Sequence, residues 1–194
     1  MLAATCWGIA DYFVAVYARR IGWFKTLVWM SSSAAAAFTL LFLAMRPKVQ
    51  IQGGDWLWLA GWALLVLPNY AAFYRALELG PIAIVTPVVA AYAAVVVILS
   101  LVFLSEDLNL KQGIGIVLAI AGVMLASADL RRLEPGKRRI GPGVWFGLAS
   151  MVGFGIGSFA GGVFSREYGW FLPAFIVRIF ITTMVLALAT RNQS

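Results

Sequence analysis

The sequence has no histidine, a single cysteine and few charged residues, and each shortage excludes a class of protein. Without histidine, Ser/His catalytic triads and the commonest metal sites are excluded. Cys6 alone cannot form an internal disulfide. Lys, Arg, Asp and Glu together make up only 12% of the 194 residues, whereas 62% are hydrophobic. We therefore expect a chain whose apolar surface faces lipid, and not an enzyme, a metalloprotein or a cofactor-binding protein.

The positive charge of the chain is distributed in a way that favours membranes over nucleic acid. The net charge is +7, but the Lys and Arg residues lie mainly in short connections between apolar segments. Nucleic-acid binding requires a continuous basic face, whereas charges in short loops act as orientation signals and contact lipid headgroups. The expected surroundings are a lipid bilayer, with no nucleic acid as a partner.

Seven segments are long and apolar enough to cross the bilayer, since a spanning helix needs about 20 apolar residues. They lie near 2–18, 24–45, 56–77, 82–104, 111–128, 142–164 and 170–190. Gly80-Pro81 separates the third from the fourth, because a helix cannot continue through proline. Glycines in the fifth span are candidates for a homodimer contact. The sequence therefore predicts an all-α polytopic membrane protein whose first segment is a retained helix.

The start of the chain recurs near its end, at a constant offset of 147 and without a gap. Seven of seventeen aligned positions are identical: Gly8, Ile9, Val16, Arg19, Gly22, Trp23 and Phe24 recur as Gly155, Ile156, Val163, Arg166, Gly169, Trp170 and Phe171. Five spans separate the two starts, and an odd number inverts the second copy, as in many secondary transporters. We predict a five-helix repeat over 1–128, a basic linker over 129–141, and the first two helices of an incomplete, inverted repeat over 142–194.

Two charged residues lie in the middle of predicted spans, where each costs roughly 2.5–3.5 kcal/mol and is a functional candidate by default. Asp11, in the first span, could bind a cationic substrate or exchange a proton. The aligned residue of the second copy is Ser158, so the carboxylate has no symmetric counterpart. Arg178, in the seventh span, could bind an anionic group or pair with Asp11 or Glu78.

The third and fourth spans add polar and kink-forming residues to the same region. Tyr70 and Tyr74 are separated by one helical turn, so they share a face of the third span, and Pro68 before them loosens the helix. Pro87 and Tyr92 in the fourth span could add a kink and a hydroxyl group.

The predicted cavity takes its members from these spans and from the start of the chain. It is formed by Trp7, Asp11, Tyr70, Tyr74, Tyr92 and Arg178. Asp11 and Glu78 are the candidates for proton coupling. Glu78 lies near a helix end, however, where an interfacial ion pair with Arg75 is the simpler interpretation.

Several motifs together resemble the EamA family of the drug/metabolite transporter superfamily. They are residues 73–81 (FYRALELGP), Thr86-Pro87, residues 104–106 (LSE), the stretch from Gly113 to Val123, and residues 7–11 (WGIAD), which are similar to the family's first helix. The resemblance implies ten helices in two inverted five-helix repeats around a central cavity, with both termini in the cytoplasm. It also implies that three helices are absent from this chain, two of which would line the cavity.

The distribution of basic residues disagrees with the orientation that the resemblance implies. Ten Lys and Arg residues lie on the side reached after the odd-numbered spans, against four on the other side. That count places the N-terminus outside the cytoplasm, although half of the ten belong to the linker 129–141. The orientation therefore stays open at this point.

The sequence thus predicts a multi-pass carrier of the cytoplasmic membrane that moves a small metabolite or drug by alternating access, with proton coupling as one option. Its alternative is a truncated, non-transporting protein, or a subunit that needs a partner to complete the cavity. Neither the substrate nor the direction of transport follows from the residues.

Overall fold

The computed structural model describes residues 2–104, 109–127 and 141–191, and within them the chain is helical throughout apart from short connections. The helices are α1 (Leu2–Ile21), α2 (Trp23–Met45), α3 (Asp55–Leu79), α4 (Ile82–Ala90), α5 (Tyr92–Leu104), α6 (Leu110–Ser127), α7 (Pro142–Tyr168) and α8 (Phe171–Arg191). The predicted linker 129–141 lies outside the described residues except for Gly141.

Five stretches of this described part are long and apolar enough to cross a membrane. They are Trp23–Met45, Asp55–Leu79, Ile82–Leu104, Pro142–Tyr168 and Phe171–Arg191. The predicted spans 2–18 and 111–128 correspond to α1 and, up to Ser127, to α6, but they are not among these five. Asp11, Arg19 and Arg20 lower the mean hydropathy of α1. The chain is therefore an all-α polytopic membrane protein.

The predicted fourth span is one apolar stretch divided into two helices. α4 ends at Ala90, and the amide of Ala91 donates to the carbonyls of Pro87 (3.2 Å) and Val88 (3.2 Å) before α5 begins. The interruption thus follows Pro87 by four residues. At Pro68, by contrast, α3 continues as a single helix.

The two copies of the internal repeat share an unusual turn. Gly22 (φ 89°, ψ 150°) joins α1 to α2, and Gly169 (φ 73°, ψ 166°) joins α7 to α8. A positive φ of this kind is readily adopted only by glycine, which explains the residue in both copies. The Trp-Phe pair that follows is also alike, with ring centroids 5.5 Å apart in each copy and interplanar angles of 74° and 79°.

Contacts between helices of the first copy and helices of the second copy show that the helices in contact run in opposite directions. Residues at the start of α3 contact residues at the end of α7, since the Tyr168 hydroxyl group donates to Asp55 and Trp62 stacks on Phe164. Further along α3, Tyr70 packs against Phe154, and Gly80, which follows α3, lies against Gly143 at the start of α7. α3 and α7 are therefore antiparallel. α2 and α8 are antiparallel too, since Ser31 meets Thr182 and Phe42 meets Phe175.

A side chain from α1 fixes the relative position of α1 and α3. Arg19 donates from Nε to the carbonyl of Leu77 (3.2 Å) and from Nη2 to the carbonyl of Gly80 (2.6 Å). These carbonyls lie at the C-terminal end of α3, where the helix cannot satisfy them itself. The C-terminal ends of α1 and α3 therefore lie together, which makes α1 parallel to α3 and antiparallel to α7.

Glycines of α7 allow close packing at the most extensive helix contact in the described part of the chain, that between α3 and α7. A Cβ on Gly153 would overlap Asn69, one on Gly157 would lie 3.0 Å from Val66, and one on Gly161 would lie 2.5 Å from the ring of Trp62. Small residues permit this approach in lipid, where association depends on close packing. Gly162, by contrast, faces open space.

Neighbouring glycines on α7 provide a test of this contact. Gly161→Ala should lower the free energy of unfolding by about 1–3 kcal/mol, because the new methyl group displaces Trp62 from its stack on Phe164. Gly162→Ala is the matched control, since its methyl group meets nothing within 4 Å and alanine favours the helix. Unfolding with SDS in mixed micelles measures both variants, and equal stability of the two would contradict this packing.

Candidate functional site

Arg178, near the middle of α8, is held by a tyrosine and not by a carboxylate. Its Nη2 donates to the hydroxyl of Tyr70 at 3.1 Å, and its Cζ lies 5.2 Å from the centroid of the same ring. The guanidinium therefore makes a hydrogen bond and a cation–π contact with one side chain. The predicted pairing of Arg178 with Asp11 or Glu78 is absent from the described part of the chain.

Tyr74 lies at the centre of the predicted site. Its side chain is buried (6% exposed) on α3, one turn beyond Tyr70. Tyr74 shares a face of α3 with Tyr70, which contacts Arg178 of α8. Three of the six predicted substrate-binding residues, from α3 and α8, therefore lie close together in the structure.

Asp11 is half-buried at the midpoint of α1 and has no hydrogen-bond or ion-pair partner among the described residues. An unpaired carboxylate in the apolar part of a membrane protein is costly unless it faces water, a ligand or a proton. Asp11 lies on α1, which packs against α3, the helix that carries Tyr70 and Tyr74. It therefore stays a candidate for contact with a ligand or a proton.

The remaining predicted residues make no hydrogen bond, ion pair or ring contact with the two tyrosines of α3 or with the arginine of α8 in the described part of the chain. Trp7 is one turn before Asp11 on α1 and 66% exposed, and Tyr92 is an exposed residue at the start of α5. Glu78 forms an ion pair with Arg75, which confirms the predicted interfacial pair. A carboxylate already paired in this way is a weaker candidate for proton coupling than Asp11.

Phe154 of α7 belongs to the site but was not predicted. Its ring packs edge-on against Tyr70 (centroids 5.1 Å apart) and Phe73 (5.9 Å), which places it beside the Arg178 contact. One signal could have found it, because Phe154 is aligned with Trp7 at the offset of 147.

A separate apolar cavity of about 380 Å³ lies between α1 and α2. Its lining residues are Val14, Tyr17, Ile21, Thr26, Trp29, Met30 and Ser33. None of the predicted site residues lines it, and it contains no charged side chain. The cavity therefore does not offer the chemistry of the group around Tyr74.

Substitutions at Tyr70 separate the two contacts that hold Arg178. Tyr70→Phe should lower the free energy of unfolding by about 1 kcal/mol through loss of the hydrogen bond, and Tyr70→Leu should lower it by about 1 kcal/mol more because the cation–π contact is lost too. Tyr12→Phe is the control, since Tyr12 is exposed on α1. Unfolding with SDS in mixed micelles is the measurement, and a neutral Tyr70→Leu would show that Arg178 is held elsewhere.

Comparison with known proteins places the chain among membrane transporters. Residues 1–128 match the EamA-like transporter family, a match that ends before the second copy begins. An uncharacterized transporter in the cobO 3′ region of Sinorhizobium sp is 37% identical over 76 residues, which are 39% of this chain and 54% of that protein. The chain thus spans about half the length of this relative.

A second relative covers more of the sequence. An uncharacterized protein of Methanocaldococcus jannaschii is 30% identical over 129 residues, which are 66% of this chain and 92% of that protein. No solved structure matches the chain. The match over the first five predicted spans, together with this second relative, shows that the chain belongs to the EamA-like transporter family.

Proposed function

We propose that this chain is a secondary transporter of small metabolites or drugs, located in the cytoplasmic membrane and operating by alternating access. Family membership supports transport in general. The observation that carries the proposal further is the contact of Arg178, in the middle of a membrane-spanning helix, with the hydroxyl group of Tyr70 on α3 (3.1 Å). A second charge, Asp11, lies half-buried on the neighbouring helix α1. In membrane proteins, intramembrane charges mark substrate and ion pathways because their cost requires a function.

In this proposal each member of the site has a role that follows from its chemistry. Arg178 presents guanidinium donors to an anionic group, and Tyr70 holds it in place. Tyr74 supplies a hydroxyl group on a buried side chain, one turn from Tyr70. Asp11 accepts a cationic group or a proton, and its lack of a partner among the described residues leaves it free to do either.

Asp11→Asn should abolish transport and leave membrane insertion intact, because the substitution keeps the size of the side chain and removes its charge. Proteoliposomes would be screened with amino acids, amines, sugars and aromatic drugs, and the initial rate for any accumulated solute should fall roughly tenfold or more, about 1.4 kcal/mol per factor of ten.

Asp55→Asn is the matched control. It removes a carboxylate that bonds Tyr168 at the far end of α3, and it should transport at nearly the wild-type rate. Protease accessibility of the loops reports insertion of both variants. Normal transport by correctly inserted Asp11→Asn would remove Asp11 from the proposed site.

A second candidate function is that the polypeptide alone does not transport and requires further helices. It is favoured by one comparison between the copies. Trp7, Tyr12 and Tyr17 of α1 are exposed, whereas their aligned residues in α7, namely Phe154, Phe159 and Phe164, pack against α3 and α5. Aligned aromatic side chains are thus covered in the second copy and exposed in the first.

The intact mass of the native polypeptide, measured from its own membrane, tests this alternative. A mass near 21.1 kDa, combined with transport by the purified chain alone, would reject it. A product longer by roughly 100 residues, which is three helices of about 20 residues with their loops, would support it, and the assays above would then use the longer protein.

A further inference from the structure

The apolar cavity between α1 and α2 is a crevice that runs inward from one surface of the membrane. Its lining residues lie within 14–21 of α1 and 26–33 of α2, and at a rise of 1.5 Å per residue each stretch extends for about 10 Å. Because α2 is a membrane-spanning helix that begins at Trp23, the turn at Gly22 lies at the membrane surface. The crevice, of about 380 Å³, thus has the direction of a lipid acyl chain.

The aligned part of the second copy is filled by protein. At the offset of 147, Val14 and Tyr17 of the crevice are aligned with Gly161 and Phe164 of α7. A Cβ on Gly161 would lie 2.5 Å from the ring of Trp62, which stacks on Phe164. A side chain of α3 therefore occupies beside α7 the space that stays open beside α1. An open space forfeits dispersion contacts, so in a bilayer it is filled by an apolar group that can enter it.

Basic residues stand beside the open crevice and not beside the filled one. Arg20 and Lys25 are each adjacent in sequence to a lining residue at the outer end of the crevice, and both are exposed. Their aligned residues in the second copy are Glu167 and Leu172, of which Leu172 is buried. The positive charges thus accompany the copy in which the crevice is open.

These two charges are available to an anion. The sequence contains no Asp or Glu over 12–54, and Glu78 at the end of α3 is already paired with Arg75. Arg20 and Lys25 have no hydrogen-bond or ion-pair partner among the described residues. Basic side chains at the membrane surface attract anionic lipid headgroups, and their hydrogen bonds to phosphate are charge-assisted.

We propose that the crevice binds one acyl chain of an anionic phospholipid, whose phosphate group is bound by Arg20 and Lys25. The chain lies along Trp29, which lines the crevice and is 73% exposed. A zwitterionic lipid offers the same chain, so the headgroup charge sets the preference between the two. The inference goes beyond the proposed function and does not rest on it, because it involves none of the residues assigned to the transport site.

Lipids that differ only in their headgroups measure the contribution of the charges. The purified chain in detergent is mixed with equal amounts of phosphatidylglycerol and phosphatidylcholine that carry the same acyl chains, and native mass spectrometry counts the bound lipids. The wild type should retain phosphatidylglycerol at least about tenfold more tightly. Arg20→Gln and Lys25→Gln should each weaken its binding roughly fivefold. Lys48→Gln is the matched control, since it removes an exposed charge beyond the other end of α2, and it should bind as the wild type does.

Trp29 reports where the acyl chain lies. Phosphatidylglycerol with bromine atoms in its acyl chains quenches the fluorescence of the tryptophans that it touches, and the wild type should lose more fluorescence than Trp29→Phe. Ser33→Phe gives the open crevice the residue that α8 carries at the aligned position, Phe180. It should cause loss of both lipids from the crevice, whatever their headgroups. Ser33→Ala is its control and should retain them.

Several results would overturn the inference. They are equal retention of the two lipids by the wild type, a preference for phosphatidylglycerol that survives the combined substitution of Arg20 and Lys25, or equal quenching of the wild type and Trp29→Phe. Quenching of Trp29 that appears only when a dimer is diluted to monomers would show that a second copy of the chain fills the crevice, and would overturn the inference as well.

Discussion

The close contact between α3 and α7 is the constraint on which the rest of the structure depends. Helices in lipid gain little from burying apolar surface against one another, so they associate where side chains are small enough for close packing. On α7 that condition is met by glycines one turn apart. The larger side chains of Trp62, Val66 and Asn69 on α3 occupy the space that these glycines leave. This contact joins the two copies of the repeat in antiparallel directions.

The position of the site follows from that contact. α3 carries Tyr70 and Tyr74, and α7 brings Phe154 against the first of them. α8 then follows α7 through the turn at Gly169 and brings Arg178 to the same tyrosine. α1 is placed independently, because Arg19 binds the carbonyls at the C-terminal end of α3. Three different attachments to α3 thus place α1, α7 and α8 beside the helix that carries both tyrosines.

Apolar length and the repeat predict most of the fold, because both are local properties of the chain. The helices follow from these two properties. The Arg75–Glu78 pair is local as well, because residues three apart on a helix lie side by side. Residues such as Asp11 and Arg178 are recognisable as site candidates because a charge in a membrane span is costly wherever it packs. The Arg178–Tyr70 contact and the role of Arg19 depend on which helices are neighbours, and single-sequence periodicity does not contain that information. The division at Ala91 was missed for a related reason, since proline shows where a helix is weakened but not where it ends.

The two copies are alike in their turns and different at the site, and the physical reasons for these facts are distinct. A helix-to-helix turn with positive φ admits glycine and little else, so both copies carry glycine at the same place. A charged side chain in a membrane span follows no such rule of backbone geometry, since it is costly wherever it stands and is retained only where its chemistry is used. Asp11 of the first copy is accordingly matched by the uncharged Ser158 in the second, while the turn glycines are the same in both copies.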